Sequence, residues 1–236
     1  MTQTLKFYSF LPDLTKDTQI AKASAMEFEW LKKAFEDYKA NNINSHTSKC
    51  PGIISIMNSG YIQKTYQDVH ITTKYFSEND GGFKWHSSIN QRALHYGNIL
   101  NDYVSCHAPD QLYKFKLLPQ NTLPSIVKIQ SPWFVEIPKG YSLLSMPIPY
   151  GDTNNFTAAT GILKGNNFLN VQLYWHCLEG TIHIKKGTPL CQYILIKDEH
   201  IECEIKTMDT EDQFLSLYKN NKNYTEIFNA LKNKNN

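Results

Sequence analysis

The chain has 236 residues, 41% of them hydrophobic and 19% charged, and its formal net charge is +2 from 24 basic and 22 acidic side chains. Disorder along the whole length is excluded, because that state needs low hydrophobicity and high charge, and this apolar fraction can bury a sizeable core. So even a charge balance gives no footprint for nucleic acid, and no stretch of 18 apolar residues is present to cross a membrane as a helix.

In chain order, residues 4–10 (TLKFYSF) read as a short strand that Pro12 stops. Residues 17–40 read as a helix, since Ile20, Met26, Trp30, Leu31, Ala34, Phe35 and Tyr38 recur mostly at spacings of three and four. Ser24 and Glu27 have capping-box spacing and offer an internal restart. The polar run 41–48 reads as a loop, and Pro51 opens one or two helical turns over 51–59. Residues 61–86 are strand-like, with a hairpin turn at Asn79-Asp80-Gly81-Gly82, whereas 87–112 is ambiguous.

From 113 the texture changes. Short β-branched and aromatic runs at 113–118, 125–130, 133–137, 141–148, 156–163, 169–176, 181–184 and 190–197 are separated by Pro, Gly and Asn. Alternation such as Val171, Leu173, Trp175 supports half-buried strands, and the series as a whole points to a sandwich or barrel. After 207 two helical stripes follow, Phe214, Leu217, Tyr218 and then Tyr224, Ile227, Phe228, Leu231.

The chemistry-bearing residues are scattered. Arg92 is the one arginine, so bidentate phosphate recognition has a single candidate. Rich lysine and asparagine usage reflects the codon bias of an AT-rich genome. Cys50, Cys106, Cys177, Cys191 and Cys203 include no CxxC pair, which argues against a zinc knuckle or a redox motif. The opening residues lack the apolar centre of a signal peptide, so a cytoplasmic, reducing setting with free thiols is expected. The eight histidines, at 46, 70, 86, 95, 107, 176, 183 and 200, show neither H-x-x-x-H nor H-x-D spacing. They are read as ordinary surface or half-buried side chains, and no metal or other cofactor is expected. Cys50 precedes a helix-opening proline, where a thiol pKa can fall; with no histidine or acid placed beside it, it reads as a small buried residue. Trp85, Trp133 and Trp175 stand in strand contexts and read as core or sheet-face residues.

The run 133–197 resembles the C-terminal half of the dUTPase-like β-barrel superfamily. The residues that carry the resemblance are Pro138-Lys139-Gly140-Tyr141, then Gly161-Ile162-Leu163, then Ile184 followed by Lys185-Lys186-Gly187-Thr188-Pro189-Leu190-Cys191-Gln192. Positive φ is expected at Gly140 and Gly187, which follow lysines at tight turns. A broader set resembles a family of phage and bacterial proteins of similar length to which no activity is attached. It comprises Lys49-Cys50-Pro51, Gly60-Tyr61, Asp68, Trp85, Ser131-Pro132-Trp133, Gly140-Tyr141-Ser142 and Gly187-Thr188-Pro189.

The fold implied is α+β and mainly β, an antiparallel dUTPase-like barrel or sandwich with an N-terminal helix and C-terminal helices. It is expected as one domain, 1–236, in which 1–112 packs on a barrel core of 113–200, and 201–236 adds a C-terminal strand and a helical tail. The resemblance also implies self-association, as a homotrimer by analogy.

At the superfamily's catalytic hairpin the resemblance breaks. Its first aspartate orients the attacking water, yet the matching stretch here is Lys164-Gly165-Asn166-Asn167-Phe168, with Lys164 and Asn166 at the two aspartate positions. A lysine cation takes no proton from water, and asparagine has no basic group. The serine- and arginine-containing phosphate motif is missing too, its region reading Pro147-Ile148-Pro149-Tyr150-Gly151-Asp152. Hydrolysis of dUTP is therefore not expected. The leading expectation is a non-catalytic binding or assembly protein, phage-encoded, acting in the host cytoplasm or in the virion. The alternative is an enzyme for a nucleotide or related phosphate ester with a non-standard site. Any small-molecule site is expected where the N-terminal part meets the barrel, at Trp85, His86, Tyr150, Asp152, Lys164, Asn166 and Asn167.

Overall fold

A computed structural model of the chain describes residues 4–11, 17–41, 50–74, 84–89, 103–107, 121–123, 125–151, 154–199, 201–203 and 205. The chain divides into two compact units, Met1–Asp198 and Glu199–Asn236, where one domain was expected. In the second unit the described residues are exposed and form no regular element, and the helices expected after 207 lie outside the described residues.

The first unit is mainly β. Its strands are β1 (Lys6–Ser9), β2 (Ala21–Lys22), β3 (Tyr61–Lys64), β4 (Val69–Lys74), β5 (Lys84–Ile89), β6 (Val104–Cys106), β7 (Ile126–Ile129) and β8 (Trp133–Glu136). They continue as β9 (Tyr141–Met146), β10 (Phe156–Ala158), β11 (Gly161–Lys164), β12 (Asn167–Phe168), β13 (Val171–Trp175), β14 (Gly180–Ile184) and β15 (Pro189–Lys197). Two α-helices, α1 (Glu29–Asn41) and α2 (Pro51–Asn58), and a 3₁₀ turn at Ala23–Ala25 are the other elements among the described residues. The strand pairs are antiparallel and make four sheets, β1-β8-β12, β10-β13-β7-β6, β11-β9-β15-β3-β2 and β14-β4-β5. Residues 1–112 contribute strands to all four, so this part is woven into the sheets and is not a layer laid on them.

Period-two patterning puts one face of most strands into a common core. In β13, Val171, Leu173 and Trp175 are buried and alternate with half-buried Gln172 and Tyr174. Trp175 is fully buried and stacks on Phe156 of β10, with ring centroids 6.1 Å apart. Both Trp133 and Trp175 are core residues, as their strand contexts suggest. The hairpin expected around residues 79–82 is seen in its arms, where β4 and β5 pair from Val69↔Ile89 to Lys74↔Lys84; the turn itself and the run 113–118 lie outside the described residues.

Two expectations give way to tertiary pairing. The helix read over 17–40 begins only at Glu29. Ala21 and Lys22 pair with β3, and the Ala23 amide donates to the Gly60 carbonyl at 2.9 Å, so this backbone bonds into a sheet and not into a helix. Ile20 packs on the core from there, which explains an apolar spacing that looked helical. The run 156–163 also splits: β10 pairs with β13 while β11 pairs with β9, in different sheets.

Helix α2 opens at Pro51, which gives up no useful amide there. It closes against β15, where the buried Gln192 amide donates from Nε2 to the carbonyls of Ile56, at 2.7 Å, and Ser59, at 2.5 Å. Carbonyls at a helix end lack intrahelical partners, so this side chain does the work of a C-cap from a neighbouring sheet. Gly60 follows with φ +73°, and a Cβ there would lie 1.9 Å from the Tyr193 carbonyl oxygen. Gly60→Ala must therefore push apart β3 and β15 and strain the backbone as well. Loss of about 3 kcal/mol is expected, read as a lower denaturation midpoint in urea at unchanged slope.

Candidate functional site

A cavity of about 550 Å³ opens where three loops of the first unit meet. One wall is the segment leading into α1, with Met26, Glu27 and Phe28; a second is the end of β9 and its following turn, with Pro147, Ile148, Tyr150 and Gly151. β10 supplies Phe156, Thr157 and Ala158, and the β14–β15 turn supplies Gly187 to Leu190. Lys64, at the end of β3, brings an ammonium group. The volume falls within the usual range for small-molecule sites, and the composition fits too: apolar walls with a few polar groups. Neither Lys64 nor Glu27 has an ion-pair partner among the described residues.

The lip of the cavity is strained. The Gly151 amide closes a turn on the Ile148 carbonyl at 3.2 Å, with Pro149 and Tyr150 as its central residues. Tyr150 has φ +56°, a conformation that this turn position normally leaves to glycine or asparagine. The residue is 53% exposed, and its ring centroid lies 5.8 Å from that of Trp30 of α1. An aromatic side chain held in the left-handed region costs about 1–3 kcal/mol, and such residues cluster at ligand clamps.

Rigid partners hold the other walls. Thr65 is fully buried after β3, and its hydroxyl donates to the Lys185 carbonyl at 2.8 Å. Its amide donates to the Thr188 carbonyl and its own carbonyl accepts from the Gly187 amide, each at 2.9 Å. Gly187 turns with φ +84°, as expected, and so does Gly140 with φ +80°. At the β10 wall, the Thr157 hydroxyl pairs with His176 Nε2 at 2.7 Å, while Thr122 pairs with Nδ1 at 2.9 Å. Both ring nitrogens are thus engaged, and burial holds the imidazole below its ordinary pKa of 6.5.

The residues expected at a site are only partly brought together. Tyr150 lines this cavity. Lys164, Asn166 and Asn167 lie at the β11–β12 turn and are not among the lining residues. Asn166 Oδ1 accepts the Ile137 amide at 3.2 Å and Asn167 Oδ1 accepts the Phe168 amide at 2.9 Å, so both side chains build the turn. Trp85 and His86 sit on β5 opposite Thr73 and Thr72, and Asp152 lies outside the described residues. Cys50 is exposed at the start of α2, not buried as expected, because the helix N-terminus faces solvent there. Apart from Tyr150 the lining was missed by sequence reading, and Met26, Phe28, Lys64 and Thr157 show why. The first two were absorbed into an expected helix, and nothing local distinguishes the other two.

Two of the thiols are poor nucleophiles. Cys106 shares a hydrogen bond with Ser125, whose hydroxyl donates to the His107 carbonyl, and burial pushes the Cys106 thiol pKa up. Cys191 is fully buried and its thiol is raised to about 12. Among the described residues no group of three or more His, Cys, Asp or Glu side chains is arranged to hold a metal ion, and no helix is long and apolar enough to cross a membrane.

No family model matches the chain, and no curated protein does. Among solved structures it is similar to a mutant dUTPase from phage phi11 of S. aureus, a protein described with a structural Mg(II) ion. The two share 15% identity at a TM-score of 0.26, over 48% of this chain and 88% of that one.

His176 makes a pH test of the cavity wall. The folded chain keeps this ring neutral at pH values where a free imidazole already takes a proton, so the unfolded state binds more protons. Its contribution to stability is therefore present above pH 6.5 and is lost as pH falls below that value through the lowered folded pKa. His176→Gln keeps hydrogen-bonding capacity and removes the titration. In melting curves from pH 8 to pH 5, the native chain is expected to lose more stability than the variant, the gap opening below 6.5.

Proposed function

We propose that this chain is a non-catalytic binding protein, phage-encoded and built on a dUTPase-like barrel, that holds a small organic ligand in the cavity at Tyr150. The observation that carries the reading is the strained Tyr150 at the lip of a largely apolar cavity whose lining includes Lys64, a lysine with no ion-pair partner among the described residues. The barrel assignment is supported by the order of the turn and strand motifs in 133–197. The ligand that fits is a molecule with a flat apolar body and one anionic group. Met26, Phe28, Ile148 and Phe156 contact the body, Lys64 faces the anion, and Tyr150 covers the opening. The enzymatic alternative, turnover of a nucleotide or related phosphate ester, needs a proton acceptor in the cavity. Glu27 is the carboxylate in the lining, and Lys164 stands where the resembled hairpin would carry its own.

A thermal-shift panel of deoxynucleotides with Mg²⁺ tests both readings at once. A true ligand at a hundredfold excess over its Kd raises the melting temperature by about 5–10 °C. Lys64→Ala is expected to weaken binding by roughly tenfold through loss of a charge-assisted contact. Tyr150→Gly relieves backbone strain of about 1 kcal/mol and gives up a ring contact of similar size, so its own melting temperature should stay within about 3 °C while the ligand shift falls by more than half. Release of pyrophosphate from dUTP at rates near one per second, roughly the low end for enzymes, would overturn the non-catalytic reading.

An assembly role has its own support. Tyr8, Phe134 and Phe168 stand in one cross-strand row on the outer face of the β1-β8-β12 sheet. Tyr8 is 45% and Phe168 51% exposed, with Phe10 next to them. Exposed aromatic surface of this kind marks association sites, and a second and third copy of this chain are the proposed occupants. Light scattering of the purified chain should give a trimer mass. Phe168→Lys should reduce it to the monomer mass with the melting temperature nearly unchanged; a native chain that is monomeric at all concentrations rejects the assembly role.

A further inference from the structure

Two opposite charges line the same cavity and neither is answered. Lys64 and Glu27 are both in its lining, and neither forms an ion pair with the other or with any described residue. The backbone under each is anchored. Lys64 ends β3, where it is half-buried, and stands opposite Pro189 of β15. There the register slips: Gln63 pairs with Cys191, so Leu190 is an extra residue on β15, and it is buried in the cavity lining. Bulges of this kind re-aim side chains and recur beside binding sites. Glu27 is exposed and sits between two tied neighbours. The Met26 amide donates to the Ala23 carbonyl at 3.0 Å, and the carbonyl of buried Phe28 accepts from the Lys32 amide at 3.1 Å.

Resting on the reading of this cavity as a ligand site, we propose that its ligand is a small zwitterion of the amino-acid class, an apolar amino acid or dipeptide, whose carboxylate meets Lys64 and whose ammonium meets Glu27. A simple anion would answer Lys64 but put its charge in one space with the Glu27 carboxylate, where apolar walls screen the repulsion poorly. A neutral molecule would answer neither group. A zwitterion gains a charge-assisted contact at each end. It also needs both, because each charged end gives up strong hydration on leaving water. Lys64 and Glu27 do not bond to each other, so the charged ends of a ligand can stand between them. Exposure sets the orientation. The carboxylate end lies inward at half-buried Lys64, and the ammonium end lies toward solvent at exposed Glu27. The apolar side chain is then received by Phe28, Ile148, Phe156 and Leu190.

The probes are phenylalanine and the dipeptide Leu-Phe, each free, N-acetylated and C-amidated, by titration calorimetry on the full chain. At least one free probe is expected to bind, and each of its capped forms to bind roughly tenfold more weakly, since each cap removes one charge-assisted contact. The variants should divide that effect. In Glu27→Gln the N-acetyl form binds like the free probe while the amide stays weaker; in Lys64→Gln the amide binds like the free probe while the N-acetyl form stays weaker. Glu27 is exposed and bonds to no described side chain, so the E27Q chain should melt like the native one, which separates loss of a contact from loss of fold. A residue that only shaped the cavity would weaken all three forms alike, and that result in both variants overturns the proposal. An N-acetyl form that binds the native chain within about threefold of the free probe also overturns it, while leaving the cavity as a site for an anion. If no probe binds but a deoxynucleotide does, the zwitterion is rejected and the cavity reading stands; if nothing binds, both fall.

Discussion

A short chain of buried hydrogen bonds ties the first unit together. The Tyr193 hydroxyl on β15 donates to Gln63 Oε1 on β3 at 2.9 Å, and Gln63 Nε2 donates to the Leu169 carbonyl at 3.0 Å. Tyr193 is 1% and Gln63 2% exposed, so none of these groups has water to fall back on. In such surroundings an unmade hydrogen bond costs about 1–3 kcal/mol, and the bonds form together or not at all. Burial holds the Tyr193 phenol far above its ordinary pKa, which keeps it a donor. The consequence is registration. β15 lies between β9 and β3 in the five-stranded sheet, and a slip of one residue against β3 would turn Gln63 out of the core and leave Tyr193 unpartnered.

That registration reaches the cavity through the same strand. β3 follows Gly60, whose missing side chain lets Tyr193 come close, and ends at Lys64 in the cavity wall. Thr65 then clamps the β14–β15 turn with its hydroxyl and both backbone groups. Three residues on, Asp68 fixes Lys186 and stands beside the stacked rings of His70 and His183. Within nine residues the chain therefore sets a sheet register, a cavity wall and the charge next to an exposed imidazole pair. The opposite wall works differently. Rigid partners hold the β3 side, whereas the Tyr150 side stores strain in its backbone and leaves that residue exposed, its ring against Trp30.

Much of the strand content was legible because the signal is local. The buried alternation of β13, the Pro51 start of α2, and the positive φ at Gly140 and Gly187 are each set by a residue's own chemistry and its near neighbours. The failures share a cause as well. Residues 20–27 have apolar side chains at helical spacing, but the backbone of Ala21 to Ala23 is claimed by β3 and Gly60, partners some forty residues away, and a short 3₁₀ turn follows. The run 156–163 reads as continuous, yet its halves join different sheets, a choice made by β13 and β9.

The site divides along the same line. Sequence alone determined that the chain is mainly β and that turns fall at Gly140 and Gly187. It also shows a lysine at 164 and an asparagine at 166, neither of them an acid. Only the tertiary structure decided that Met26, Lys64, Thr157 and Leu190 surround one space with Tyr150. Likewise, Asp68 and His70 are two apart in sequence with His183 more than a hundred residues on, and nothing in their spacing suggests a pair. The physical reason is that a strand's alternation is encoded in its own residues, whereas which strand lies beside it is settled by long-range backbone hydrogen bonds. Convergence of side chains on one point follows from that pairing alone.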